Sequence, residues 1–487
     1  MNSVYAKTEV VGKFPSSEKL NSIGQHILDG EYENDVCSII LKYKSKAPIN
    51  CHFLARHKDV VSFLSERQAE NVNLSNYDAA LKSGAFGAEF FISAKNKSLQ
   101  WKLLRDALKV PPIQDRHLPP VNGAADTRID LIKEYAEFAV NDALQIILSL
   151  KRSNLTASGT RSKSERATRN EINLVREYGY LVMYLLVRDY LGLKMPDKPS
   201  LLFRLFLGLR KIVTRKPSLP KQLEILQANE LLFWITVIFG HLFVNPGGHN
   251  ILVKNLSKYV AKKYRRQIRI SIENPKPGSL MDRMKQQKES FGADVTTGEL
   301  IKNADQIFET LATDIIMELA GSFQYLTGTS FAKIMDTVTS VYSESSHIKN
   351  ETSPLRHFTD NLREDPRSFI DEALRHNSPT GFIFRTARHD FIYNDVAIHE
   401  GSLVCLLTDI AVKDPSVFPN PDKFYDLAEI RNRSKYYLAF GSPDTHPSPY
   451  NPSESHHPCF GQYWARVILV EMFKGLERFQ NLELSNG

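Results

Sequence analysis

Cys459 stands in a run suited to holding iron: His457, Pro458, Cys459, Phe460 and Gly461, with an amphipathic helix predicted over Gly461–Phe479. A loop that offers sulfur to one face of a porphyrin must bring its backbone close to the ring, which the missing side chain of Gly461 permits. The helix start aims amide N–H groups and the positive end of its dipole at the thiolate. That lowers the basicity of the sulfur and tunes the potential of the iron. On its own, Cys459 reads as a buried structural cysteine at a helix start. Three further arrangements overturn that reading.

Glu372 and Arg375 are three apart in a predicted helix, so carboxylate and guanidinium share a face and can pair. Taken singly the pair is an ordinary surface contact; here it stands 84 residues ahead of Cys459 and just before a strand-rich patch. Trp101 and Arg105 lie one helical turn apart. Indole N–H and guanidinium both donate to carboxylates, as a heme propionate requires, whereas the plain alternative is an amphipathic helix face. Arg385 opens a third group, Arg385–Asp390, followed by Ile398–Gly401 and a strand.

The elements that must position these groups are mostly helical. Apolar residues recur at helical spacing over Thr127–Arg152, from Ile129 and Ile132 to Ile146 and Ile147. Ser153–Arg169 is a polar, Ser- and Arg-rich stretch read as a mobile loop, and a helix follows over about Asn170–Leu193. Leu201–Val213 and Leu231–Val244 are strongly apolar. A membrane span needs about 20 apolar residues, so the fourteen of the second piece favour a buried core helix, with a membrane-dipping surface as the alternative. A long helix is expected over Thr297–Tyr342. Alternation marks strands at Cys37–Tyr43, Ile49–Leu54, Gly381–Arg388, Phe391–Ile398 and Ser402–Leu407. The fold class is therefore mainly α with a small β-rich subdomain, read as a single domain over 1–487 because no stretch resembles a linker.

Composition excludes several classes. Four scattered cysteines (Cys37, Cys51, Cys405, Cys459) make neither a disulfide scaffold nor a CxxC zinc site, and fit a reducing, cytoplasmic setting. Charged residues within Met1–Leu20 leave no apolar core for a signal peptide or anchor. A net charge of +7 without basic–aromatic clusters speaks against nucleic acid; a basic surface instead suits an acidic redox protein. His446 and His456 belong to a Pro-rich stretch and read as exposed loop histidines, and Cys405 as a small buried hydrophobe.

In order and type, these motifs resemble those of the cytochrome P450 superfamily along essentially the whole chain. Trp101 and Arg105 match its C-helix WxxxR, Glu372 and Arg375 its K-helix ExxR, Arg385 its propionate-binding strand arginine, and His457 with Cys459 its HxC loop. The resemblance implies the P450 fold, heme b (iron protoporphyrin IX), Cys459 as the metal ligand, and Trp101, Arg105, Arg385 and His457 as propionate contacts. It also implies that the ExxR pair locks the meander before the cysteine loop, with Arg431 or Arg433 as its partner.

Two departures bear on function. The family loop FxxGxxxCxG places Phe seven residues before Cys, whereas Phe440 lies nineteen before Cys459, a Ser/Pro/His-rich insertion of twelve on the side where a redox partner docks. The family's (A/G)Gx(D/E)T stretch, whose acid–alcohol pair relays protons for O–O cleavage, is matched by Ala320–Gln324, with Phe323 and Gln324 in those two places; a second register uses Thr327–Thr329. Gln324, Thr327 and Thr329 are thus the candidate catalytic residues.

The chain from His457 onward is similar to the P450 domain of fungal fatty-acid dioxygenase–diol synthases, though their I-helix Asn/Gln set is missing. The expected function is oxidation of an apolar small molecule (a lipid, terpenoid or other secondary metabolite) by a monooxygenase with an external redox partner. A reductase-independent hydroperoxide isomerase, dehydratase or peroxygenase is the second reading, and a non-catalytic heme protein the third. Peripheral membrane contact is expected, if anywhere, at Leu201–Val244.

Overall fold

The computed structural model describes residues 9–11, 14–42, 48–64, 71–73, 103–104, 107, 127–156, 172–173, 178–214, 222–244, 251–288, 304–342, 354–440, 461–477 and 484–485. It divides into two compact units.

The first unit (1–84, 240–254 and 333–462) carries a six-stranded sheet in the order Glu9–Val11, Val36–Leu41, Ile49–Leu54, Leu403–Leu406, Ile383–Ala387, Val72–Asn73. Side chains of a strand alternate between faces. One face therefore carries the row Cys37, Phe53, Cys405 and Phe384, and the other carries Ser38, His52, Val404 and Arg385. The first row enters an apolar core in which Phe14 packs on Phe384 with ring centroids 5.2 Å apart. Burial pushes the Cys51 and Cys405 thiols up, so both stay protonated and inert. Cys405 is fully buried, as expected for a small hydrophobe. Gly24 lets helix Ser17–Leu28 lie against the short helix Thr408–Ala411: a Cβ there would stand 2.6 Å from Ile410 Cγ1.

The second unit (85–239, 255–332 and 463–487) is helical. Helix Thr127–Thr156, the run Tyr180–Leu191, the helix beginning at Ala304 and helix Gln462–Glu477 pack together. Their seams are aromatic. Phe331 meets Tyr178 and Phe473 at 5.7 and 5.3 Å, and Phe323 meets Trp464 at 6.0 Å. Tyr178 donates to Met472 O at 2.6 Å, and a side chain at Gly475 would run into Val140.

Several expectations shift. Helix Thr127–Thr156 extends four residues into the stretch read as a loop, and the remainder of that loop lies outside the described residues. The helix expected from Asn170 is regular only from Tyr180, because Ile172–Asn173 pairs as a strand with Leu484–Ser485. It stops at Gly192, whose φ of 90° is the left-handed end cap that glycine adopts without strain. The single strand read over Phe391–Ile398 is a hairpin, turned by Asn394 and Asp395 at φ 46° and 60°, residue types that tolerate that region. No described helix is long and apolar enough to cross a membrane. Leu231, Trp234, Ile235 and Ile238 are buried in helix Leu223–Val244, so the core reading holds for that part of the apolar run.

Candidate active site

Helix Pro366–His376 starts on a strong cap. Asp365 accepts from Ser368 N at 3.1 Å, and Pro366 takes the first-turn position where its missing N–H costs nothing. The helix brings Glu372 and Arg375 to a place where neither has any side-chain exposure. The two form a fork: Arg375 Nε donates to Glu372 Oε2 at 2.9 Å and Nη2 to Oε1 at 2.8 Å. Glu372 also accepts from Tyr425 N (2.9 Å) and from the Tyr437 hydroxyl (2.6 Å). Arg375 gives its other donors to Pro421 O (2.6 Å) and Lys423 O (2.7 Å), with its guanidinium 4.8 Å from the Tyr425 ring centre.

Burial alone would raise the Glu372 pKa, but the bonds from Arg375 and His376 outweigh it and hold the carboxyl below its ordinary value. Arg375 is correspondingly held charged: burial opposes the charge, and its bonds and proximity to Glu372 prevail. Burial and the Glu372 charge push the Tyr437 phenol up, so it remains a donor. The pair therefore fastens Pro421–Tyr437, as the lock reading expects, but through backbone and tyrosines. Arg431 instead bonds Asp365 (3.0 Å), while Arg433 reaches the lock only through the Tyr425 ring at 4.6 Å. A reciprocal cap between Asp426 and Glu429 starts the short helix that carries both arginines.

Arg385 lies on strand Ile383–Ala387, on the sheet face opposite the cysteine row, with Nη1 donating to Phe384 O at 3.0 Å. A guanidinium fixed on a strand offers the forked donors that a carboxylate takes, so this residue fits a heme propionate. Two cross-strand places along the same row, His52 shares a hydrogen bond with Ser38 Oγ through Nδ1 at 2.8 Å, and its Nε2 is buried without a partner. Trp101, Arg105, His457 and Cys459 lie outside the described residues, as does the insertion between Gly441 and His457. Leu103 and Leu104, inside that motif, and Ala107 just after it are helical and buried.

The long helix carries a π-helical segment, Ser322–Thr327, directly after Ala320-Gly321. Such widened turns recur at functional sites. Gln324 is fully buried. Its Nε2 donates to Tyr180 O (3.2 Å) and Ala228 O (3.1 Å), and its Oε1 has no partner. Thr327, also buried, turns its hydroxyl to Ser322 O at 3.4 Å. Thr329 is half-buried, as are Ser322, Tyr325 and Leu326. Burial raises the pKa of the Tyr180 phenol, and the nearby Thr329 hydroxyl opposes that rise. Gly328 makes this approach possible, since a Cβ there would stand 2.8 Å from the Tyr180 ring. Tyr180 thus accepts from Gln324 through its backbone and lies near Thr329 through its ring. Sequence reasoning missed it, because an isolated tyrosine in a helix belongs to no motif; the tight Gly328 was the available signal.

Residues 367–442, which contain the whole Glu372–Arg375 lock and Arg385, match the family model of cytochrome P450. The chain carries the cytochrome P450 fold. A P450BioI structure, crystallised with an acyl carrier protein bearing hexadec-9Z-enoic acid, superposes with a TM-score of 0.55 at 14% identity. It covers 95% of this chain and 93% of that one. The biotin biosynthesis cytochrome P450 of Bacillus subtilis is 33% identical over 129 residues, 26% of this chain and 29% of the relative. The chloroplastic fatty acid hydroperoxide lyase of Solanum lycopersicum is 26% identical over 129 residues, 25% and 26% of the respective chains. The chain thus matches less than a third of the length of these curated relatives. Proteins of the cytochrome P450 family bind heme.

Proposed function

We propose that residues 1–487 form one heme-thiolate oxidoreductase domain that oxidises an apolar small molecule as a monooxygenase. The observation that carries this reading is the buried Glu372–Arg375 lock within the segment that matches the family model. Cys459 is the proposed iron ligand, with Trp101, Arg105, Arg385 and His457 on the propionates of heme b. When bound, the thiolate-ligated iron supplies oxidising power, the sulfur favouring O–O bond cleavage.

The chain's own contribution on the distal side is a hydroxyl relay in place of the usual acid–alcohol pair. Thr329, near the Tyr180 phenol, holds a proton or a water at the half-buried face of the long helix. Gln324 positions that face by tying the helix to the backbone at Tyr180 and Ala228. The apolar wall comes from this helix and helix Leu223–Val244. An acyl chain suits such a wall, in keeping with the acyl ligand of the P450BioI complex. Electrons come from an outside donor, and no nucleic acid takes part. We place the protein in the cytoplasm.

A second reading is a reductase-independent hydroperoxide isomerase, dehydratase or peroxygenase. The missing acid and the hydroperoxide lyase among the relatives favour it. One experiment separates the two. Purified protein is given a fatty-acid hydroperoxide without reductant, and in parallel the parent lipid with oxygen and an electron donor. Turnover only in the second arm supports the monooxygenase. Turnover only in the first assigns the second reading. Inactivity in both arms across lipids and terpenoids, with heme bound, leaves a non-catalytic heme protein.

A further inference from the structure

Helix Ile251–Glu273 buries one side, with Val260, Ala261, Tyr264 and Ile268, and turns the other to solvent. The solvent side carries Lys258, Lys262, Arg266 and Arg269, all exposed, each three or four residues from the next and so in one row. The row runs about 16 Å along the helix. Among the described residues none of the four has an ion pair or a hydrogen bond. Their neighbours are occupied: Lys263 lies 4.8 Å from the centre of the Tyr259 ring, and Arg265 bonds Asp314 at 2.5 Å.

A solvated helix face ordinarily sets acids beside its cations. This chain does so on other helices, where Lys133 meets Glu137 at 3.9 Å, Arg363 meets Asp360 at 3.7 Å and Lys474 meets Glu471 at 2.9 Å. Like charges one turn apart destabilise a helix about as much as such pairs stabilise it. Four unrelieved cations in line therefore stand against their own repulsion, and an acidic partner removes it.

Two apolar side chains narrow the kind of partner. Tyr259 is 51% exposed and Ile270 43%, and they stand beside the row at its two ends. A bilayer takes a continuous apolar stripe, which two side chains about three turns apart do not make. Nucleic acid would meet the charges with its phosphates but offers no socket for Ile270. A second copy of the chain would set the cationic row against itself. A protein helix supplies both complements, carboxylates one turn apart along the row and apolar pockets for the two anchors. We propose that the outer face of helix Ile251–Glu273 docks an acidic helix of a partner protein. In sequence this face is separate from the Cys459 loop and its insertion, where the electron donor is expected, so the partner is a protein other than that donor. The proposal is independent of the heme assignment.

The test uses the full, heme-loaded chain and a fluorescent helical peptide with glutamate at every fourth position and two leucines spaced to meet Tyr259 and Ile270, beside a counterpart with glutamine for glutamate. Fluorescence anisotropy should show about tenfold tighter binding of the acidic peptide, weakening as salt is raised. The double variant Lys262→Glu/Arg266→Glu, altered only at exposed positions, should melt like the parent and lose about tenfold in affinity for that peptide. Lys58→Glu/Lys435→Glu, the same charge change at exposed positions of the other unit, should keep it. Equal binding of the two peptides, no binding of either, undiminished binding by the first variant or an equal loss in the second overturns the proposal. So does a DNA duplex or a phosphatidylserine vesicle that binds more tightly than the peptide and is lost in Lys262→Glu/Arg266→Glu, since that outcome gives the face to another polyanion.

Discussion

Glu372 and Arg375 show what a buried charge pair demands of its surroundings. Each charge is stripped of water, and the fork, two backbone carbonyls, one amide and the Tyr437 hydroxyl replace that water. Removing one partner strands the other, which typically costs about 3–5 kcal/mol. Arg375→Ala or Glu372→Ala should therefore lose about that much in denaturant unfolding; a change below about 1 kcal/mol contradicts the lock. The histidines give a second prediction at this scale. Burial lowers the His52 pKa from 6.5 to about 4, with the His399 charge adding to the shift. Burial likewise lowers His57 from 6.5 to about 4, against the pull of Tyr436 O and Asp414. In both cases the unfolded state binds the proton first. Stability is thus fully present above pH 6.5 and declines as pH falls toward about 4, by roughly 2–3 kcal/mol per histidine. His52→Asn should flatten the unfolding midpoint over that window, and an unchanged slope would count against it.

At the scale of elements, the pattern legible beforehand and the pattern that was not differ in kind. Helix Pro366–His376 and the strands Ile383–Ala387 and Leu403–Leu406 were readable because their periodicities are local. The ExxR spacing announced a pair, yet nothing in it announced Tyr425 and Tyr437, whose bonds to Glu372 depend on how the loop after Phe418 returns. The choice between Arg431 and Arg433 failed for the same reason: stacking on a shared tyrosine leaves no sequence spacing to read. The register of the long helix was undecidable because the π-helical turn at Ser322–Thr327 shifts every later side chain from its α-helical place. Gly328→Ala tests this seam. A Cβ pressed against Tyr180 should destabilise the protein by about 1–3 kcal/mol and disturb the Thr329 hydroxyl, seen as a lower thermal midpoint. An unaltered midpoint would mean that the two helices separate without cost.

For the whole molecule, the ordered set of motifs carried the fold: Trp101 with Arg105, Glu372 with Arg375, Arg385, then His457 with Cys459. Each is weak alone, and each recurs in many chains as an ordinary helix face or buried side chain. Their sequence-wide order is hard to meet by chance, and the superposition over 95% of the chain agrees with it. Function is less legible, because Phe323 and Gln324 stand where the acid–alcohol pair that would have marked oxygen activation is expected. The central claim is that Cys459 supplies a thiolate to heme iron. It is tested most directly by the carbon monoxide difference spectrum of the reduced protein, wild type beside Cys459→Ala. The account predicts the long-wavelength Soret band of a thiolate-ligated carbonyl in the wild type and its loss in the variant. The same band in both proteins, or a wild-type band at the position given by histidine ligation, would contradict it.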